Sequence, residues 1–170
     1  MVEWTECGEQ KIGVIDCNKS SGTNPIIDRI SDVGYDRLEF VVMSHPHHDH
    51  FSGLLPLLKY CLSEKFPVGF FAYTTREISA FWNSLVLSNN EQDDLADIFR
   101  IIRKMEDSGL LEARGIGTDQ MRALELKDGI KLQFLAPSEK ERDAFASTLY
   151  DENGRVKDKP EANLVCSVLM

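Results

Sequence analysis

The four histidines of this chain all lie between positions 45 and 50, in the segment HPHHDH. Neutral imidazole is the commonest metal-binding side chain, and a carboxylate adds a harder, anionic oxygen donor. The segment therefore carries the donor types of a divalent metal site. The alternative is a surface histidine cluster without an ion. The concentration of every histidine at one point of the chain favours metal binding.

The spacing of these residues suggests which donors bind which ion. Side chains two apart on an extended segment point to the same side, so His45 and His47 can bind one ion. Asp49 and His50 follow where the chain is expected to turn into a helix, and they can reach a second ion. His48 is expected to point elsewhere. In two-metal sites the ions lie roughly 3.5–4 Å apart, activate water and stabilise an oxyanion or a leaving oxygen.

The elements around the segment are expected to hold it in place. An apolar run at residues 38–43 predicts a buried strand that leads directly into His45, and residues 52–62 predict a helix after it. An earlier strand, residues 11–16, ends in Asp16. Asn24 followed by Pro25 predicts a helix start, and Gly34 is expected to end that helix.

The rest of the chain predicts further alternating elements. The expected order is a strand at 68–73, helices at 75–87 and 91–105, a hairpin of strands 122–126 and 130–135, a helix capped by Ser138 and Glu141, and a final strand-like run at 163–170. Helices that alternate with strands, followed by a hairpin, predict an α/β layered fold with a mixed sheet. We expect one domain over residues 1–170.

The pattern His45-x-His47-x-Asp49-His50, with Gly53 and Leu54 after it, is similar to the signature of the metallo-β-lactamase superfamily. The resemblance implies an αββα sandwich with the metals at one edge. It implies that His45 and His47 bind a first metal and that Asp49 and His50 bind a second. It also implies a catalytic role for Asp49, which would orient the attacking water.

Asp16 matches the acid at the end of a strand that, in this family, supports the metal loop from behind the ligands. An aspartate that only caps its own loop is an equally weighted alternative. Asn163 and the residues 167–169 resemble a strand in the hydrolase domain of bacterial DNA-uptake proteins, a branch of the same superfamily. Asn163 would then stand near the place of a third histidine, although a plain strand-start asparagine is the stronger interpretation.

The chain also departs from the family pattern. No histidine follows His50, and no Gly-Asp pair follows the cluster. The family's first strand is expected to be short or missing. We therefore expect only the N-terminal part of such a domain, either because the chain is truncated at its C-terminal end or because it is a naturally shortened relative.

The net charge and composition of the chain narrow the classes of function that it can have. The net charge of −9 argues against general nucleic-acid binding, although bound cations can still bring a phosphodiester to the site. The start of the chain has no signal-peptide character and no segment has the length of a membrane span, so the expected location is cytoplasmic. The four cysteines form no Cys-x-x-Cys pair and predict reduced, partly buried thiols.

Two functions follow as hypotheses. The first is a hydrolase that uses metal-activated water on a small-molecule ester or amide, or on a phosphodiester. One or two zinc ions are expected, with manganese or iron possible at such sites. The second is a non-catalytic metal-binding or partner-binding module with a degraded site. In that case an exposed sheet edge would pair with another copy of the chain or with a partner subunit.

Overall fold

The structure is a computed structural model that describes residues 1–19, 22–73, 89–115, 123–127, 130–136, 138, 140–141, 144 and 168–169. The predicted helix at 75–87 lies outside these residues, as do Asn163, Cys166 and the turn at 128–129. Cys7, Cys17 and Cys61 are free cysteines, of which Cys17 and Cys61 are buried.

Five strands form the main sheet in the order in which they occur along the chain. They are β1 (Val2–Glu6), β2 (Glu9–Ile15), β3 (Phe40–Met43), β4 (Phe71–Tyr73) and β5 (Ala113–Gly115). The pair β1–β2 is antiparallel, and the pairs β2–β3, β3–β4 and β4–β5 are parallel. This is a mixed sheet, as the order of predicted elements indicated.

Four helices connect these strands in the described part of the chain: α1 (Pro25–Val33), α2 (His48–Phe51), α3 (Leu54–Ser63) and α4 (Asn89–Asp107). Helix α1 begins and ends where the sequence predicts. The Asn24 side chain accepts hydrogen bonds from the backbone of Ile26 and Ile27, and Gly34 ends the helix with a left-handed φ of 78°. None of the described helices has the length and apolar character needed to cross a membrane.

The second sheet contains three antiparallel strands in the order β6 (Ala123–Lys127), β7 (Ile130–Ala136) and β8 (Val168–Leu169). The two strands of the predicted hairpin are confirmed as β6 and β7. The predicted capping box is also present, because the Ser138 hydroxyl and backbone N–H both donate to Glu141 Oε2 and Glu141 N donates to Ser138 Oγ.

Strand β3 lies between two apolar cores, which explains why its four residues are all buried. Val41 and Met43 pack with helical residues such as Leu58 and Ile98, whereas Phe40 and Val42 pack with Leu132 and Phe134 of β7. The main sheet therefore has helices on one face and the second sheet on the other. This mixed α/β arrangement provides three layers of the expected αββα sandwich.

The expectation of a short or missing first strand was wrong. Strand β1 has five residues, and each of them pairs with β2 from Val2↔Gly13 to Glu6↔Glu9. The two-residue turn between these strands, Cys7 and Gly8, has φ values of 50° and 86°, so it uses the left-handed region that tight hairpin turns need. Cys-Gly is not the usual sequence signal for such a turn, and the strand before it carries two glutamates.

Candidate functional site

The site lies where two neighbouring parallel strands end. Ile15, the last residue of β2, pairs with Val42 of β3, so the residues that follow the two strands lie side by side. Those residues are Asp16 after β2 and Ser44 after β3. The carboxyl ends of parallel strands form the usual binding edge of an α/β sheet.

Asp16 is held by three hydrogen bonds. Its Oδ1 atom accepts from the backbone N–H of Ser44 at 2.8 Å, and its Oδ2 atom accepts from Ser44 Oγ at 2.6 Å. The same Oδ2 atom lies 2.8 Å from His50 Nδ1. The backbone φ of Asp16 is 53°, an uncommon value for a residue other than glycine, and such conformations concentrate at functional sites. Asp16 therefore contacts both the residue that follows β3 and a ring of the histidine segment.

Three of the four predicted metal ligands form a compact group of imidazoles. The ring centroids of His45 and His50 are 3.8 Å apart, and those of His45 and His47 are 4.7 Å apart. His45 is buried, and its Nδ1 atom lies 3.0 Å from Ser44 Oγ. Burial lowers the pKa of His45, with further lowering by His50 and His47. A lowered pKa favours the neutral imidazole, which is the form that binds metals.

Asp49 lies beside His50 but faces solvent. Its side chain is 73% exposed, and its Oδ2 atom is 3.5 Å from His50 Nε2. His48 points away from the other three rings, as expected. Its Nδ1 atom is 3.6 Å from Oε1 of Glu91 on α4, and its ring packs edge-on against Phe51.

The loop after β2 holds the backbone that follows the histidines. Cys17 N donates to the His50 carbonyl, and Gly53 N donates to the Cys17 carbonyl, both at 2.8 Å. Asn24 Nδ2 donates to the Gly53 carbonyl at 2.8 Å. Gly53 allows this close approach, because an added Cβ would lie 2.7 Å from Cys17 Sγ.

The donor types of the group fit zinc, but the donor atoms are not already assembled. In the described ranges, no three His, Cys, Asp or Glu side chains form a ready-made metal-binding group. The Nδ1 atoms of His45 and His50 face Ser44 and Asp16, so Nε2 is the nitrogen by which these rings would bind a metal. Binding by this set therefore requires side-chain rotation, above all of the exposed Asp49.

Sequence reasoning missed two residues of the site. Ser44 contacts Asp16, His45 and His50, and its only signal was its position between a buried strand and the histidine segment. Asn24 was predicted only as a helix cap, yet its amide also reaches the turn after the histidines. A hydrogen bond to a carbonyl 29 residues away leaves no local pattern in the sequence.

Among the solved structures that this chain resembles is one hydrolase. No protein-family model matches the chain, and no curated protein sequence matches it. The chain is similar to a solved structure described as a crystal structure of the hydrolase AbOPH in the beta lactamase superfamily, with 15% sequence identity and a TM-score of 0.37. The match covers 73% of this chain and 47% of that chain, so this chain spans about half the length of that hydrolase chain.

Proposed function

We propose that this chain is a metal-dependent hydrolase domain of the metallo-β-lactamase type, with His45, His47, Asp49 and His50 as its ligands. The contact between Asp16 Oδ2 and His50 Nδ1, at 2.8 Å, carries the proposal. Metal-binding histidines almost always donate their other ring N–H to a carboxylate, a carbonyl or a water. An aspartate placed behind one member of a group of three imidazoles supports a metal site over a random surface cluster.

Zinc is the proposed ion because most of the donors are imidazoles, with manganese or iron as alternatives. When bound, such an ion polarises a carbonyl or phosphoryl oxygen and activates water near neutral pH. His45 and His47 would form one pair of ligands, and Asp49 and His50 the other. Asp49 is the residue proposed to orient the attacking water, because it combines a carboxylate with exposure to solvent.

The proposed substrates are a small ester, an amide or a phosphodiester. A net charge of −9 argues against long nucleic acids, whose phosphates an acidic surface repels. The fold itself does not select among these substrates, since members of one fold differ mainly in the loops around the site.

A hydrolysis assay with a chelator tests the proposal. Zinc-loaded protein is incubated with p-nitrophenyl acetate and with bis(p-nitrophenyl) phosphate, before and after treatment with EDTA. We expect turnover that EDTA abolishes, that added zinc restores, and that Asp49→Asn lowers by about 100-fold or more. Asp36→Asn, at the other end of β3, serves as the matched control. Turnover that persists without metal would contradict the proposal.

The incomplete assembly of the donors favours a second candidate, a non-catalytic metal-binding or partner-binding module. In the described residues the ligands do not converge on one point, and Asp49 faces solvent. Strand β5 forms one edge of the main sheet and contains three residues. Stoichiometric zinc binding without turnover on either substrate would support this candidate. A shift of oligomeric state with zinc, measured by light scattering, would identify a second copy as the partner.

A further inference from the structure

Ser44 is a buried residue with a hydroxyl group that faces three polar atoms. It is 4% exposed. Its Oγ atom lies 2.6 Å from Asp16 Oδ2, 3.0 Å from His45 Nδ1 and 3.5 Å from His50 Nδ1. Ser44 therefore lies between the strand-end carboxylate and two of the predicted metal ligands.

The hydrogen-bond donor in each of these contacts can be assigned. An ionised carboxylate only accepts hydrogen bonds, so the short contact to Asp16 uses the one proton of the Ser44 hydroxyl. The contact between Ser44 Oγ and His45 Nδ1 must then use a proton on the ring nitrogen. In the neutral form of the ring, which is the form that binds metals, a proton on Nδ1 leaves the lone pair on Nε2.

The donor in the contact between His50 and Asp16 can be assigned in the same way. Its Nδ1 atom contacts the Asp16 carboxylate at 2.8 Å, so this nitrogen must also be the donor. In the neutral ring the lone pair is again on Nε2. Both rings consequently carry a proton on Nδ1, and Ser44 and Asp16 together account for it.

We propose that Ser44 is a positioning residue that sets His45 in the Nδ1–H tautomer, so that the unprotonated Nε2 is the atom that can bind a metal. The metal part of this inference rests on the proposed function. The tautomer part does not, because the hydrogen bonds that set it are present without an ion. Ser44 acts through His45 and is therefore a positioning residue.

The tautomer is measurable in the metal-free protein. Long-range ¹H–¹⁵N spectra of protein labelled with ¹⁵N-histidine distinguish protonated from unprotonated ring nitrogens. We expect His45 and His50 as Nδ1–H tautomers in the wild type. Ser44→Ala is expected to shift His45 toward the Nε2–H tautomer, whereas His50 keeps its bond to Asp16. Ser44→Thr, which retains a hydroxyl, is expected to keep the wild-type pattern for both rings.

Zinc affinity gives the second readout. Loss of a residue that orients a metal ligand typically weakens binding by about 10- to 100-fold, and we expect Ser44→Ala to fall in this range. Ser44→Thr should restore most of the affinity. Ser31→Ala, which removes an exposed hydroxyl from α1, is the control and should bind zinc as the wild type does.

The tautomer spectra and the zinc titrations together distinguish a failure of the proposed function from a failure of the role of Ser44. A wild type with both expected tautomers but no zinc binding contradicts the proposed function and supports the role of Ser44 in setting the tautomer. Zinc binding together with an Nε2–H tautomer of His45 in the wild type overturns the inference, as does an unchanged His45 tautomer in Ser44→Ala. An Nε2–H tautomer of His45 in the wild type overturns the inference even if Ser44→Ala does not fold.

Discussion

Asp16 and His50 are 34 residues apart in the sequence, yet Asp16 Oδ2 lies 2.8 Å from His50 Nδ1. Two features of the fold produce this contact. Strands β2 and β3 are parallel neighbours and end at the same edge, and the short helix α2 turns the chain so that His50 returns toward β2. The backbone bond from Cys17 N to the His50 carbonyl, at 2.8 Å, supports the same approach.

Asp16→Asn is expected to weaken zinc binding by about 10- to 100-fold. An asparagine amide has one acceptor oxygen in place of two, and its NH₂ group would face a donor at Ser44 or His50. The free energy of unfolding should also fall, by about 1–3 kcal/mol, because a donor loses its partner. Isothermal titration with zinc and urea unfolding measure the two effects.

Asp36→Asn is the matched control for Asp16→Asn. Asp36 is exposed and precedes β3, whereas the site follows β3 at the opposite end of the sheet. It should leave the zinc affinity unchanged. Equal affinities for the Asp16 and Asp36 variants would show that the carboxylate behind His50 does not support metal binding.

Gly13→Ala is expected to destabilise the fold by about 1–3 kcal/mol through overpacking. The Phe40 ring lies directly over Gly13, so an added Cβ would overlap it. Phe40 stacks there between Trp4 and Phe70, with ring centroids 6.1 Å and 5.9 Å away. Urea unfolding of Gly13→Ala, Phe40→Leu and the double variant forms a mutant cycle. The alanine should lower the free energy of unfolding less in the Phe40→Leu background than in the wild-type background. An equal loss in both backgrounds would contradict the packing of Phe40 over Gly13.

Asn24→Ala is expected to lower the free energy of unfolding by about 1 kcal/mol more than Asn24→Ser. Serine keeps an oxygen that can cap α1, but neither variant keeps the amide donor to the Gly53 carbonyl. Both variants should therefore lose zinc affinity, because the turn after His50 loses a support. Urea unfolding and zinc titration of the two variants check this. Equal stabilities would mean that the cap contributes little, and unchanged affinity in both would separate Asn24 from the site.

The Cys61 thiol is expected to make the fold less stable at alkaline pH. Burial raises the pKa of Cys61 from 9.0 to about 12. The thiol ionises in the unfolded chain above pH 9 but stays protonated in the folded one, so unfolding releases a proton. The stability from this burial is complete below pH 9 and is lost as the pH rises toward 12.

Cys61→Ala lacks this titration and isolates its effect. Between about pH 8 and about pH 10, the free energy of unfolding of the wild type should fall by about 1 kcal/mol more than that of Cys61→Ala. Cys17, whose pKa burial raises to about 11, is present in both proteins and cancels in the comparison. Urea unfolding at the two pH values provides the measurement, and equal falls would contradict the burial of this thiol.

Local signals in the sequence predicted the parts of the fold that depend on local chemistry. Asn24 and Gly34 delimit α1 because capping and left-handed φ depend on single residues. Strand β5 was not predicted, because its three residues form a strand through pairing with β4 and carry no pattern of their own. Strand β1 was missed for a related reason, since its charged residues are compatible with an edge position beside β2.

In the site, too, features that depend on neighbouring residues were predictable, and those that depend on distant residues were not. The histidine segment is visible in the sequence because its donors are adjacent, and the contacts among His45, His47 and His50 follow from that. The carboxylate of Asp16 could be suggested only by resemblance, since parallel pairing of β2 and β3 is what brings it near. The role of the Ser44 hydroxyl was not predicted, because it depends on which atoms of its neighbours in the folded structure carry protons. These neighbours are Asp16, His45 and His50.

Zinc content is the most direct test of the central claim. The wild type, the double variant His45→Ala/His47→Ala and the control His48→Ala are loaded with zinc, dialysed and measured by inductively coupled plasma mass spectrometry. We predict one or two zinc ions per chain in the wild type and in His48→Ala, whose ring faces Glu91, and loss of stoichiometric zinc in the double variant. An unchanged zinc content in the double variant, or a wild type without zinc, would contradict the account.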